Sequence, residues 1–223
     1  MEILFLGAGS ATPLPRPGHE CPQCRSRDAR DRRSPSALLI DRRILIDAGP
    51  SITTLLAAVG RAPEDIAAVV LTHRHRDAAG GLAVLPAGTR VVVPERPGRL
   101  TVAGHRFEAV RVPHAGPTWG YLVDGVLAYF SDYSRIGPAL SALRRARIAV
   151  LDGSGWRRTF PSHQPMVDVI PIVKRLHNLR RVLFTHVGHC GLPHAELERR
   201  TRALGDDRFG IAYHGLRLTV RRT

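Results

Sequence analysis

Four short strand-like runs in this chain lead into side chains of the kinds that can bind metal ions. IAAVVLT (66–72) leads into His73, Arg74, His75, Arg76 and Asp77. HRFEAVRV (105–112) leads to His114, VLAYFSD (126–132) ends in Asp132, and RRVLFTH (180–186) ends in His186. Runs of this length, rich in Val, Ile and Leu, read as buried β-strands. In an extended segment alternate side chains share a side, so His73, His75 and Asp77 would converge while the arginines point elsewhere. Imidazole and carboxylate are ligands for zinc and similar divalent ions. A polar loop with two incidental histidines would explain the first run but not its recurrence at the other three.

The surrounding pattern constrains the architecture. EILFL (2–6) reads as a strand, SALLID (36–41) and RILIDAG (43–49) as a hairpin, and ITTLLAAVG (52–60) as a helix stopped by Gly60. Strand patterns continue through VVVP (91–94), RLTVAG (99–104) and GYLVD (120–124). In the second half GPALSALRRA (137–146), VDVIPIVKRL (167–176) and HAELERRTRAL (194–204) read as helices. IAVLDGS (148–154) reads as a strand, and FGIAYHGLRLTV (209–220) as a final strand pair. Strand-rich halves that each carry helices imply an α/β chain, two sheets packed face to face with helices outside. No composition shift divides it, so residues 1–223 are expected to form a single domain. GAGSAT (7–12) is no dinucleotide fingerprint, because Thr12 stands where the third glycine belongs and a Pro-rich segment follows.

Composition narrows the function. The chain has 223 residues, 43% of them hydrophobic, enough for a sizeable core. No apolar run approaches the roughly 18–20 residues of a membrane span. MEILFLGAGS lacks the basic start and long apolar stretch of a secretory signal, so a cytoplasmic protein is expected. The net charge is +14, and Lys174 is the only lysine. Such a field attracts phosphate-bearing partners, although a GC-rich genome would also favour arginine codons. Three cysteines argue against a disulfide framework.

The strand ends, together with LGAGSATP near the start and LLIDRRILIDAG before the first helix, resemble the metallo-β-lactamase superfamily. The likeness covers almost the whole chain. It implies an αββα sandwich of two mixed sheets, with metals held by loops at one edge. It implies that His73, His75 and His114 hold one ion, that Asp77 and His186 hold a second, and that Asp132 bridges them. Asp47 of LIDAG looks like the family's buried carboxylate, which orients a ligand imidazole; a plain turn or cap residue is the other reading. The chain departs from the pattern at Ala78, where the family has a histidine. Water could fill that place, His214 of AYHGLRL could enter as an extra ligand, or the second position could stay empty. Two divalent ions, zinc or manganese, are expected, the second more weakly held. The carboxylates of Asp77 and Asp132 suit a hard ion there.

HECPQC carries His19, Cys21 and Cys24 within a Pro- and Arg-rich segment, residues 13–35, that has little apolar content. Such a loop is floppy unless pinned. A structural zinc would pin it with soft thiolates; a reduced CxxC without metal is the alternative. His189, three residues past His186, is the expected fourth ligand, and Cys190 is its rival. The arrangement resembles one branch of the superfamily, the phosphoribosyl 1,2-cyclic phosphodiesterases of phosphonate breakdown. Members carry a structural zinc near the N-terminus, closed by a histidine just after the last catalytic one. They typically offer three cysteines in that loop, the first replaced here by His19.

The expected function is therefore that of a metal-dependent phosphodiesterase. It would hydrolyse a small cyclic or nucleotide-like phosphate ester through a metal-bound hydroxide. Asp132 would act at the metals. His163 of PSHQP, which resembles the family's histidine before the penultimate helix, would serve the leaving oxygen. The alternatives are a ribonuclease Z-like nuclease, a thioester or lactone hydrolase, and a non-catalytic metal-binding scaffold. No long insertion is evident for gripping tRNA, so nucleic acid is the less favoured partner. A membrane is not expected as a partner, and a homodimer is left open.

Overall fold

The computed structural model describes residues 1–158, 160–189 and 191–221. Two mixed sheets pack face to face. The six-stranded sheet contains β1 (Glu2–Gly7), β2 (Ala37–Ile40), β3 (Ile44–Ile46), β4 (Ala68–Val70) and β5 (Arg90–Val92). The seven-stranded sheet runs through β6 (Gly98–Val102), β7 (His105–Val112), β8 (Thr118–Val123), β9 (Leu127–Phe130), β10 (Ile148–Asp152), β11 (Arg181–Thr185) and β12 (Phe209–Ile211). β13 (Arg217–Thr219) returns to the first sheet, giving the orders β13-β1-β2-β3-β4-β5 and β12-β11-β10-β9-β8-β7-β6. The last two strands therefore do not pair with each other as the sequence pattern suggests. β12 adds parallel to β11, the chain crosses between sheets, and β13 lies antiparallel to β1.

Period-two alternation builds the layers. In β1, Ile3 and Phe5 face the inter-sheet core with Leu38, Tyr121, Tyr129, Val150 and Leu183. Leu4 and Leu6 face outward, where α2 (Ile52–Ala57) covers them with Ile52 and Leu56. On the other side, Phe130, Leu151 and Phe184 pack under α4 (Leu140–Leu143), α5 (Met166–Lys174) and α6 (His194–Arg202). Strands buried on both faces read as continuous apolar runs. The result is an αββα sandwich. Among the described residues no helix is long and apolar enough to cross a membrane.

The Pro- and Arg-rich segment is anchored to the rest of the fold by polar contacts. It contains α1 (Pro22–Arg25) and a bridge between Leu14 and Arg33. Gln23 donates to the Leu192 carbonyl and accepts from the Gly191 N–H. Arg33, only 2% exposed, donates to the Ala8 and Ala212 carbonyls and to His194 Nδ1.

Candidate metal centre and active site

Each strand end delivers its side chain to one rim of the sandwich. Past β4 the chain does not stay extended. His75 caps the short helix α3 (Arg76–Ala79), and Asp77 sits in its first turn. The alternation expected across His73, His75 and Asp77 is thus replaced by an i,i+4 relation that sets His73 Nε2 3.8 Å from Asp77 Oδ1. Gly49, which ends LIDAG, permits this approach, because a Cβ there would collide with the Asp77 carbonyl.

The ligand atoms of His73, His75 and His114 lie within 4.8 Å of one another, as do those of His73, Asp77 and Asp132, and those of His114, Asp132 and His163. His186 Nδ1 stands 3.4 Å from Asp132 Oδ1. Asp132 therefore touches both halves of the cluster. His186 is held by its backbone, whose N–H donates to Ser36 Oγ while φ stands at 55°.

Hydrogen bonds fix which nitrogens face inward. Asp47 accepts from the Thr72 N–H and, through Oδ2, from the Thr72 hydroxyl, each at 2.8 Å. That hydroxyl has one proton, so toward His73 Nδ1, 2.9 Å away, it accepts. His73 then carries its proton on Nδ1 and a lone pair on Nε2. Asp47 orients the imidazole as expected of it, but with Thr72 between them. His73 is 3% exposed, and its Nε2 is buried without a hydrogen-bond partner. A buried lone pair surrounded by two more imidazoles and two carboxylates fits a divalent cation. His114 Nδ1 likewise donates to the Ser162 carbonyl at 2.9 Å and leaves Nε2 for the centre.

Burial pushes the His73 imidazolium down, although Asp132 and Asp77 oppose it, so the neutral ligand form is favoured. Burial would raise Asp132, but His186, His73 and the Ser131 hydroxyl at 2.5 Å outweigh it and hold the carboxyl at about 2. Asp47 is pushed well up by burial and by Asp132 and Asp77, against the pull of its Thr72 bonds. Cations between those acids would remove the like-charge part of that push.

Beside the centre, His163 stacks on His186 at 5.2 Å between ring centroids. Its Nδ1 donates to Asp152 Oδ2 at 2.6 Å. Burial opposes the charged form of His163, but the bond to Asp152 and that residue's charge raise its pKa overall. Asp152 is fully buried and also accepts from the Ser154 N–H. Sequence reasoning left Asp152 unplaced. Its signal was the end of β10, since the parallel neighbours β9 and β11 run into Asp132 and His186.

The second cluster joins His19, Cys21, Cys24 and His189, four ligand atoms within 4.8 Å of one another. His189 Nε2 lies 3.5 Å from Cys24 Sγ and 4.0 Å from Cys21 Sγ. Two thiols and two imidazoles at this spacing make a donor set suited to tetrahedral zinc. Burial, with Cys21 alongside, raises the Cys24 thiol against the pull of the Arg16 N–H; a cation would reverse that. Cys190, the rival ligand, lies outside the described residues. His214 is not brought to the rim cluster. Its Nδ1 lies 2.6 Å from the Leu6 carbonyl, and it joins none of these groups among the described residues. Nearness to a strand end along the chain does not place it near the ligands in space.

Comparison with known proteins points the same way. A family model described as the metallo-beta-lactamase superfamily matches residues 30–189. A crystal structure of a new diphosphatase from the PhnP family superposes with a TM-score of 0.85 at 25% identity, covering 99% of this chain and 98% of that one. Zinc-bound PqqB from Methylobacterium extorquens gives 0.84 at 18% identity, covering 99% and 100%. An octanoyltransferase of Porphyromonas gingivalis is 27% identical over 264 residues, 99% of this chain. The chain spans about half, 52%, of that relative's length.

Proposed function

This chain belongs to the metallo-β-lactamase superfamily of metal-dependent hydrolases, and on that premise we propose that it is a phosphodiesterase for small cyclic or nucleotide-like phosphate esters. The observation that carries the reading is the His163–Asp152 pair set against a cluster in which Asp132 links two groups of ligand atoms. His73, His75 and His114 would hold one divalent ion, Asp77 and His186 a second, with Asp132 between them. When bound, such ions supply Lewis acidity toward phosphoryl oxygens and lower the pKa of a nearby water.

The protein's own groups do the rest. Asp132, kept ionised, fixes the spacing of the two halves. Thr72 and Ser162 lock the imidazoles of His73 and His114 in one tautomer. His163, whose proton affinity Asp152 raises, would give a proton to the leaving oxygen through Nε2. Asp152 is a positioning residue acting through His163. Arg158, which lines the adjoining cavity, together with the net charge of +14, would attract an anionic ester. The diphosphatase named among the similar structures acts on a phosphorus centre, which supports the substrate class.

The test is hydrolysis of bis(p-nitrophenyl) phosphate against a thioester and a lactone, with manganese and with zinc. Phosphodiester turnover at least about tenfold above the other two is expected. Preference for the thioester or lactone would overturn the reading.

A further inference from the structure

Two cavities flank the rim cluster and share no lining residue. One lies on the side of His163 and His186. The other, of about 420 Å³, opens beside His73 and His75, between the loop that follows β5 and the turn from β7 to β8. A cavity of this size is in the range that holds a small organic ligand. With His163 serving the leaving oxygen, the leaving group fills the first cavity, and the group that stays on phosphorus falls to the second.

The second cavity contains a stacked platform. Arg111 of β7 and Trp119 of β8 are cross-strand partners, and the Arg111 guanidinium lies 5.4 Å over the indole. Trp119 is 2% exposed, and its backbone N–H donates to the Thr72 carbonyl at 2.8 Å. The platform is thereby tied to the residue that orients His73. The indole takes one face of the guanidinium, and a planar ligand can stack on the other. Val93, Pro94 and Pro117 add apolar wall, and Glu95 adds a carboxylate. Arg111 and Glu95 are exposed, and neither forms an ion pair among the described residues. A carboxylate in the lining disfavours a second anionic group on the ligand. It only accepts hydrogen bonds, so it selects N–H donors. A planar cation, apolar edges and one acceptor suit a nucleobase. Among the common bases guanine alone sets two N–H groups side by side, at N1 and N2, to match the two carboxylate oxygens.

We propose that this cavity is a nucleobase subsite with a preference for guanine, so that the preferred substrates are phosphodiesters in which a guanosine stays on phosphorus. The base stacks on Arg111 and donates to Glu95. The assignment deepens the phosphodiesterase reading and rests on it for where the phosphorus lies.

The probes are guanosine 5′-monophosphate, uridine 5′-monophosphate and ribose 5-phosphate, each titrated by calorimetry into the full chain in saturating manganese. The guanine nucleotide should bind about tenfold or more tighter than ribose 5-phosphate, and about fivefold or more tighter than the uracil nucleotide. Arg111→Ala should cut the first ratio, and Glu95→Gln the second, each by about threefold or more. Arg99→Ala, outside the cavity, should leave both unchanged. Each ratio compares two ligands on one variant, so partial misfolding does not mimic the effect. A guanine nucleotide that binds no tighter than ribose 5-phosphate, or not at all, overturns the subsite, as do ratios that neither variant moves. A guanine-to-uracil ratio near one overturns the preference. Bis(p-nitrophenyl) phosphate hydrolysis tests the underlying reading separately: turnover without base selectivity sinks the subsite alone, and base selectivity without turnover sinks the phosphodiesterase reading alone.

Discussion

The rim cluster and the staple cluster differ in what holds them. At the rim, His73 and Asp77 come from the six-stranded sheet side, and His114, Asp132 and His186 follow strands of the seven-stranded sheet. Their backbones are fixed by the same pairing that builds the core; the Thr72 hydroxyl and the Ser162 carbonyl accept from His73 and His114, and the Ser131 hydroxyl donates to Asp132. The staple draws three of its four ligands from one loop, all of them half-buried, with His189 supplied from the segment past β11. A frame that pre-forms its ligands leaves the ion free to do chemistry; a loop that borrows its order from the ion uses the ion as structure. The donor sets agree, nitrogen and oxygen at the rim, nitrogen and sulfur at the staple.

If that contrast holds, the largest loss of activity comes from the rim. Asp132→Ala should lower kcat/KM on bis(p-nitrophenyl) phosphate by on the order of 10³-fold. It should also strip metal from the rim while elemental analysis still finds the staple zinc. Loss of both metals together would mean that the two clusters are not independent.

His163 separates proton transfer from metal binding within the rim. His163→Ala should lower kcat by about 10²–10⁴-fold on an ester with an alkoxide leaving group. It should do far less with p-nitrophenolate, which needs no proton, and metal content should be unchanged. Because Asp152 raises the His163 pKa, the acid form persists to higher pH, and activity falls as pH rises through that value. Asp152→Asn removes the charge and keeps only a neutral acceptor, so burial weighs more and the alkaline limb of kcat should move to lower pH. A limb that stays in place would take His163 out of the proton-transfer role.

These residues differ in how far the sequence discloses them. Many of the strands were legible because their apolar runs are buried on both faces, and His73, Asp132 and His186 because each follows such a run; His114 comes just past β7, whose pattern alternates between buried and exposed. Asp152 also ends a strand, but it is a partner rather than a candidate ligand, and only the parallel order of β9, β10 and β11 sets it beside His163. The bend at His75 was hidden because an HxHxD string satisfies an extended period as readily as a helix cap. β12 and β13 look like a hairpin in sequence, yet a crossover at residues 212–216 sends them to different sheets. Thr72 carried no pattern at all, since a single hydroxyl gains its role only from what the fold places around it.

At the staple, Cys24→Ser should remove one zinc equivalent and speed proteolytic cutting within residues 13–35. The rest of the fold should persist, because Gln23 and Arg33 anchor the segment independently. A loss of ~2 kcal/mol would lower Tm by about 4–8 °C in a chain of this size. His189 lines the cavity beside His186, so a modest rise in KM is expected with kcat largely kept. A collapse of kcat comparable to that of Asp132→Ala would show that the staple orders the rim.

The smallest effect, and the sharpest test of the rim as a pre-formed frame, is Ala78→His. Ala78 follows Asp77 in α3, is 3% exposed, and its carbonyl accepts from the Ala48 N–H at 2.7 Å. Two terms oppose each other. Enlarging a buried residue costs about 1–3 kcal/mol, whereas a new nitrogen ligand beside Asp77 and Asp132 should tighten the second ion by about tenfold, worth ~1.4 kcal/mol. The first acts with or without metal, the second only with it. The variant should therefore melt below the parent when stripped with chelator, and the gap should narrow or reverse in saturating manganese, while kcat stays within a few-fold. If metal leaves the gap unchanged, position 78 does not face the centre, and the family's missing histidine has no counterpart in this geometry.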